Sequence, residues 1–457
     1  METTAGIISL LKKNKGGLKK AYQVAWPAIL ESFFIAFAGL VDSLMVSSLG
    51  PYAVAAVGLT TNPKIIGLCF FMALGVAVSA LTARRKGEGR RKEANEILIM
   101  GLVVTIIVGI VISIICVIFA PCFMLLARAG EDTLEPSVLY FRIIMGGMMF
   151  NVISMIINAV QRGVGNTKIA MITNVTSNVI NILGNYLLIQ GNLGFPKLGI
   201  KGAAIATVGG TVVSCIMSIY SICELDGFVS VSYILKQRIK FKLKAIKDAS
   251  KICGSVFTEQ LLMRVGFMAV AVMAADMGTR AFAVHQVGMN MMSISFSFGD
   301  GLQAAAVTLT GQSLGCNEKK KAIQYGRICI CMGIVISIAL GIIYLTSGGL
   351  ICRLFFKEAD IVQTGIRIFY IMIPIVFLQI VQIVYTGCLR SAGDVLFTMI
   401  TSLVSVTIIR TLISYLFCYI IGWGLIGVWM GVLADQLSRF LFASIRFHIG
   451  KWTDIHI

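Results

Sequence analysis

Charge is what this chain has least of. Only 13% of its 457 residues are charged, while 57% are hydrophobic and the mean hydropathy is +0.89. That leaves too little polar surface to coat a soluble globule of this size, so the chain is expected in a bilayer. Histidine is nearly absent: there are three, two of them in the C-terminal stretch, with no HExxH helix and no aspartate-rich diphosphate motif. Catalytic groups are not in evidence, and the chain is expected not to be an enzyme. The twelve cysteines include no CxxC pair and lie mostly in apolar segments, so they read as small buried hydrophobes rather than a disulfide or metal framework. Cys122 and Cys352 are the two near outer helix ends. Acidic residues are the scarcer sign, 21 against 39 basic ones, a net charge of +18. In a soluble protein that excess would suggest nucleic acid. In a membrane protein it is placed by topology, and no nucleic-acid partner is expected.

What is present is a series of long apolar segments. They run at about 22–48, 53–83, 94–120, 134–161, 169–190, 200–223, 249–275, 281–311, 323–346, 361–388, 397–421 and 425–448. Each is long enough for the roughly 20 residues that cross a bilayer as a helix. Lys12, Lys13, Lys15, Lys19 and Lys20 precede the first segment; Arg84, Arg85, Lys86, Arg90, Arg91 and Lys92 follow the second. Seven basic residues from Lys236 to Lys251 follow the sixth, and Lys319, Lys320, Lys321 and Arg327 follow the eighth. The other connections carry few, among them Arg128, Lys197, Lys201, Arg280, Arg353 and Lys357. The positive-inside bias then places both termini and the even-numbered loops in the cytoplasm. The basic N-terminus leads into an apolar stretch too long for a signal peptide, so it is read as a retained first helix.

The two halves answer each other at an interval of 228 residues. Thr82, Gly87 and Ala94 fall on Thr310, Gly315 and Ala322; Arg162 on Arg390; Gly165 on Gly393; Glu31 on Glu259. With a gap of three residues, Gly199 and Gly202 meet Gly424 and Gly427. The expected fold is an all-α integral membrane protein of twelve helices in two six-helix bundles. Because six is even, the bundles relate by a pseudo-two-fold axis along the membrane normal. The expected lobes are 1–230 and 249–457, joined by a basic cytoplasmic linker at 231–248.

An ionisable group inside a span costs about 2.5–3.5 kcal/mol on insertion scales, so each one wants a reason. The N-terminal half has Glu31, Asp42 and Lys64; the C-terminal half has Glu259, Arg264, Asp300, Arg410, Asp435 and Arg439. Two acids and two arginines of the C-terminal set, Glu259 and Asp300 with Arg264 and Arg410, can pair off, and Asp435 with Arg439 has i, i+4 spacing. Asp42 lies eight residues before Gly50, hence about 12 Å below the outer end of its span. Asn185 and Asn181 in the fifth segment and Thr207 in the sixth share that depth, with the Ala203 carbonyl one turn above Thr207. A carboxylate, two amide oxygens, a hydroxyl and a carbonyl suit a hard cation such as Na+, whereas a proton needs only the carboxylate. Ordinary helix-to-helix hydrogen bonding is the alternative for the two asparagines. Polar candidates for a substrate cavity are Glu259, Gln260, Gln286, Glu31, Arg264, Asp300 and Arg410, Gln286 being preferred to a His285 at the outer interface. Met145, Met148, Met149, Met155, Met289, Met291 and Met292 would line a promiscuous cavity or simply pack.

WPAILE at 26–31, VDSLMVSSLGPYAVAAVGL at 41–59 and QRGVGNTKIAMITNVTSNVINILGNYLLI at 161–189 carry a resemblance, with GFPKLGIKGAAIAT at 194–207, GTRAFAVHQVGMN at 278–290, AVTLTGQSLG at 306–315 and GCLRSAGD at 387–394. Over essentially its whole length the chain resembles the multidrug and toxic compound extrusion family of secondary transporters. The resemblance implies export of cationic or amphipathic organic compounds by alternating access, driven by H+ or Na+, by a multi-pass and monomeric protein of the cell membrane that needs no cofactor. It also implies a cation site at Asp42, Asn181, Asn185 and Thr207. Some relatives have a second acid where Asn185 stands, and relatives with a C-lobe glutamate resemble Glu259 followed by Gln260. The usual proline of the seventh helix has no counterpart near Ser255. A lipid-linked precursor flippase of the same superfamily is the alternative. It would need a cationic cavity, for which Arg264, Arg410 and Lys64 are available, but twelve spans rather than fourteen count against it. A major-facilitator transporter also has six plus six spans, yet Ala83 stands where its second loop needs aspartate.

Overall fold

A computed structural model describes residues 15–127, 129–224, 227–239, 243–356 and 358–455. Lys12, Lys13, Arg128, Lys240, Lys242 and Lys357, which the topology argument uses, lie outside these. The described chain is helical throughout. In chain order the helices are α1 (Lys15–Ser47), α2 (Pro51–Gly87), α3 (Arg91–Ile118), α4 (Ala120–Leu126), α5 (Glu131–Gly146), α6 (Met148–Gly163), α7 (Thr167–Gln190) and α8 (Gly199–Cys223). There follow α9 (Val231–Lys236), α10 (Leu243–Asp276), α11 (Thr279–Gly315), α12 (Lys319–Phe355), α13 (Ala359–Ser391), α14 (Val395–Ser402), α15 (Arg410–Tyr415) and α16 (Leu425–Ile449).

Each predicted span finds its helix. Among the described residues nine helical spans are long and apolar enough to cross a membrane, and a tenth is the pair α5 and α6, bent by 45° at Gly147. The remaining two segments are α7 and α11. At 24 residues α7 is about 36 Å long, enough to cross, but its row of asparagines lowers its hydropathy. The eleventh span is irregular: π turns at Leu403–Ile409 and Leu416–Ile420 interrupt it on either side of α15. α1 contains Pro27, whereas α10, its counterpart, runs from Leu243 to Asp276 without proline, as the missing proline near Ser255 implied.

Contacts divide the described chain into two compact units: one within Leu30–Cys253, and one within Gly254–Ile457 that also takes in residues 15–29. In the first, α7 packs along α8 and α2 along α6; in the second, α11 and α12 both pack along α13. The duplication is visible in the backbone. Left-handed turns recur at the 228-residue interval, with Gly50 (φ 107) matched by Gly278 (φ 96), Gly89 (φ 71) by Asn317 (φ 61), and Gly165 (φ 93) by Gly393 (φ 91). After the three-residue gap, Gly199 (φ 54) is matched by Gly424 (φ 56). Such conformations suit glycine or asparagine, so the repeat fixes where helices end.

The connection after α8 is tied down within its own unit. Arg91 donates to the carbonyls of Gly227 and Phe228, and Asn95 bonds Phe228 O and the Ser230 N–H. Lys86 lies over the Phe228 ring and Arg91 over Tyr233. Some of the basic loop charge is thus used structurally.

Candidate functional site

The layer around Asp42 is assembled by four helices. Asn185 Nδ2 donates to Asp42 Oδ1 at 2.5 Å. Asn181, one turn away on the same face of α7, turns its amide nitrogen to the carboxylate, 2.5 Å from Oδ1 and 3.2 Å from Oδ2. Its oxygen then accepts from Thr207, 2.9 Å from the hydroxyl and 3.2 Å from the backbone N–H. The Thr207 hydroxyl also lies 2.9 Å from Ala203 O, so one proton is shared between two acceptors. The structure thus joins Asp42, Asn181, Asn185, Thr207 and Ala203, as the common depth suggested. It adds Tyr140 of α5, which hydrogen-bonds Thr207 and feels the charge of Asp42. Lys64 on α2 is the cation whose field acts on Asp42.

The donor set suits a hard cation or a proton. Asn185 Oδ1 is buried with no hydrogen-bond partner, an acceptor left over once both amide nitrogens face the carboxylate. Thr207 Oγ1, Ala203 O and the Asp42 carboxylate are further oxygens of the same layer, and oxygen is the donor type Na+ accepts. Among the described residues no cluster of three histidines, cysteines or acids forms a site for a softer metal.

The other charges within the spans are held differently. Arg162 donates to Glu31 at 2.8 Å and Asn174 at 2.6 Å. Arg390 donates to Glu259 at 2.6 Å and Ser402 also at 2.6 Å. The pairing of Glu259 and Asp300 with Arg264 and Arg410 is therefore corrected: Glu259 belongs to Arg390, and Arg410 to Asp435. Arg410 donates to Asp435 Oδ2 through Nη2 at 2.6 Å and Nε at 3.1 Å, and Arg439 reaches the same carboxylate at 3.0 Å. The expected Asp435 and Arg439 contact is present, but it is part of a triad. Close approach of α16 to α15 permits this, since a Cβ on Gly431 would lie 2.7 Å from Arg410 O.

His285 is not at an interface; it is 2% exposed, its ring 5.7 Å from that of Trp429. Gln286 is exposed, Gln260 and Asp300 are half-buried, and the half-buried Arg264 has a buried Nε without a hydrogen-bond partner. The methionines are packing: Met145 and Met148 belong to a core with Phe71, Cys116 and Phe141, and Met292 to the core of the other unit. The spacing GxSxG, which marks some hydrolase nucleophiles, occurs as GQSLG at 311–315. Ser313 lies inside α11 with its hydroxyl on Leu309 O, so the strained strand-to-helix turn that exposes a nucleophile is missing. All twelve cysteines are free; Cys122 is exposed and Cys352 buried.

The sequence profile of the MatE family matches residues 27–187 and again 256–416, one copy per half. Among curated proteins, a probable multidrug resistance protein NorM of Thermotoga maritima is 24% identical over 95% of this chain and 93% of its own length. An uncharacterized transporter YisQ of Bacillus subtilis is 24% identical over 97% and 96%. Among solved structures, an outward-facing multidrug resistance transporter of this class superposes with a TM-score of 0.86 at 23% identity, over 95% of this chain and 97% of that one. A relative crystallised in complex with MaD3S gives 0.87 at 22% identity, with the same coverage.

Proposed function

The chain belongs to the MatE family of membrane transporters, and from that premise we propose that it exports cationic or amphipathic organic compounds in exchange for H+ or Na+. One observation carries the reading. Glu31, Glu259 and Asp435 are each held by an arginine, whereas the hydrogen bonds to Asp42 come from the neutral amides of Asn181 and Asn185. Lys64 acts on Asp42 through its field, without a hydrogen bond, and amide donors stabilise a carboxylate less than a guanidinium does, so Asp42 keeps a high affinity for a cation that neutralises it in a low-dielectric span.

The residues then divide the work. Asp42 carries the exchangeable charge. Asn181 and Asn185 hold the carboxylate in position and offer an amide oxygen when it is neutralised. Thr207, Ala203 and Tyr140 fix Asn181 through one shared hydroxyl. If ion and organic cation neutralise this layer in different conformations of lobes 1–230 and 249–457, ion entry on one side favours substrate release. The carrier is proposed to sit in the cell membrane as a monomer with both termini cytoplasmic, which the basic loop charges support. The flippase alternative loses one of its cations, because Arg410 is fully buried and engaged with Asp435.

Efflux of a fluorescent organic cation from proteoliposomes, under an imposed pH or sodium gradient, tests the proposal. Export driven by either gradient supports it and identifies the ion. No export under either gradient rejects it and favours a lipid substrate.

A further inference from the structure

Lys64 stands half-buried in the middle of α2. Among the described residues it makes no hydrogen bond and no ion pair, and the acid whose field reaches it is Asp42. A lysine held within a span is costly, so it wants either a partner or a task.

Helix direction aims the two side chains at each other. Side chains tilt toward the N-terminus of their own helix. α1 ends at Ser47 and α2 begins at Pro51, so the two cross the membrane in opposite senses. Asp42 therefore leans away from the turn at Gly50, and Lys64 leans toward it. Asp42 lies eight residues from Gly50 and Lys64 fourteen, a difference in depth of about 9 Å. An extended lysine side chain spans roughly 6 Å of that distance at about 1.5 Å per bond. Packing gives the same depth. A Cβ on Gly67, one turn beyond Lys64, would lie 2.9 Å from the terminal methyl of Met145 on α5. Lys64 is three residues before Gly67 and Tyr140 five before Met145, which puts Lys64 within about one turn of Tyr140. Tyr140 in turn bonds Thr207 in the Asp42 layer.

The other half of the molecule lacks both charges. At the 228-residue interval Val270 answers Asp42 and Met292 answers Lys64, and both belong to its apolar core. The acid and the lysine are present together or absent together.

We infer that Lys64 is an internal competitor of the coupling ion: its ammonium neutralises Asp42 when the site is empty, and so weakens ion binding and speeds ion release. The inference rests on the proposed role of Asp42 and adds a residue that sets its affinity. Because Lys64 is tethered, it neutralises the carboxylate without being transported. An entering ion or organic cation must displace it, and the displaced ammonium repels a second cation, which keeps ion and substrate from sharing the layer.

Ion binding to purified full-length protein is measured at equilibrium, with a sodium radioisotope and separately with a pH indicator for proton uptake, beside gradient-driven efflux from proteoliposomes. Lys64→Met, which borrows the residue of the other half, is expected to bind the ion about tenfold more tightly or better, the scale of one unit charge acting across several ångströms of protein, and to lower maximal efflux. Lys64→Arg is expected to keep both values near those of wild type. A merely structural role would lower efflux without tightening the ion. Unfolding temperature reads the pairing without transport. Lys64→Met added to Asp42→Asn is expected to unfold at a higher temperature than Asp42→Asn alone, because it removes the cation that the first substitution leaves uncompensated. Unchanged or weaker ion binding in Lys64→Met, or additive effects of the two substitutions on unfolding, would overturn the inference. Wild type that exports under neither gradient, with the two substitutions still coupled in unfolding, would sink the export reading and leave Lys64 as the counter-ion of Asp42.

Discussion

The two halves of this molecule agree in one buried device and disagree in the next. Glu31 with Arg162 and Asn174, and Glu259 with Arg390 and Ser402, are the same three-residue arrangement displaced by 228 residues. The positions that answer Asp42, Asn181, Asn185 and Thr207 are Val270, Ile409, Ile413 and Val432. Conversely, the positions that answer Arg410, Asp435 and Arg439 are Ile182, Gly210 and Ser214. What both halves contain is what the bundle needs to close on itself, a neutral ion pair joining the first helix of each repeat to the fourth. What one half alone contains is available for chemistry. The N-terminal half has an acid bonded by amides, and the C-terminal half an acid overmatched by arginines.

The comparison is broken most severely by removing the N-terminal acid. Asp42→Asn is expected to reduce gradient-driven efflux to background while the protein still inserts and folds, read by transport and by unfolding of the purified protein. Placing a carboxylate at the matching position with Val270→Asp should not restore transport in that background, since Ile409, Ile413 and Val432 offer no polar partner; restored efflux would show that the halves are interchangeable.

Next come the shared pairs. Arg390→Ala leaves Glu259 buried beside Ser402 alone and is expected to cost about 3–5 kcal/mol of stability. Arg162→Ala should cost less, because that arginine is 21% exposed against 8% for Arg390. A double-mutant cycle in each half measures the two couplings, and a larger one at Glu31 would contradict the ranking. Smaller again is Asn185→Ala, which removes one amide from Asp42 and is expected to shift the half-maximal ion concentration by about tenfold, near 1.4 kcal/mol. The smallest is Tyr140→Phe, worth about 0.5–1.5 kcal/mol, seen as a severalfold shift in the same assay without loss of maximal efflux.

The spans were legible because apolar length is a property of the chain itself, and Asp42 could be grouped with Asn181, Asn185 and Thr207 because depth follows from residue count. Tyr140 escaped, though the same count would have reached it. It stands nine residues into α5 from Glu131, about 14 Å along the helix. The ion pairs escaped for another reason. Glu259 and Arg390 are 131 residues apart, and no local spacing links them. The interval that maps Glu31 on Glu259 and Arg162 on Arg390 already held the clue, because two charges of opposite sign that recur together are candidates to meet. Of the triad, Asp435 with Arg439 was legible from its i, i+4 spacing, but the place of Arg410 was not, since it follows a π turn and the close approach at Gly431.

The central claim is that Asp42 exchanges a small cation for an organic one. Wild type and Asp42→Asn, purified and titrated with an organic cation, can be read directly for displaced protons with a pH indicator or for displaced sodium with a radioisotope. The expected result is stoichiometric release from wild type and none from the variant. Equal release from both would contradict the account.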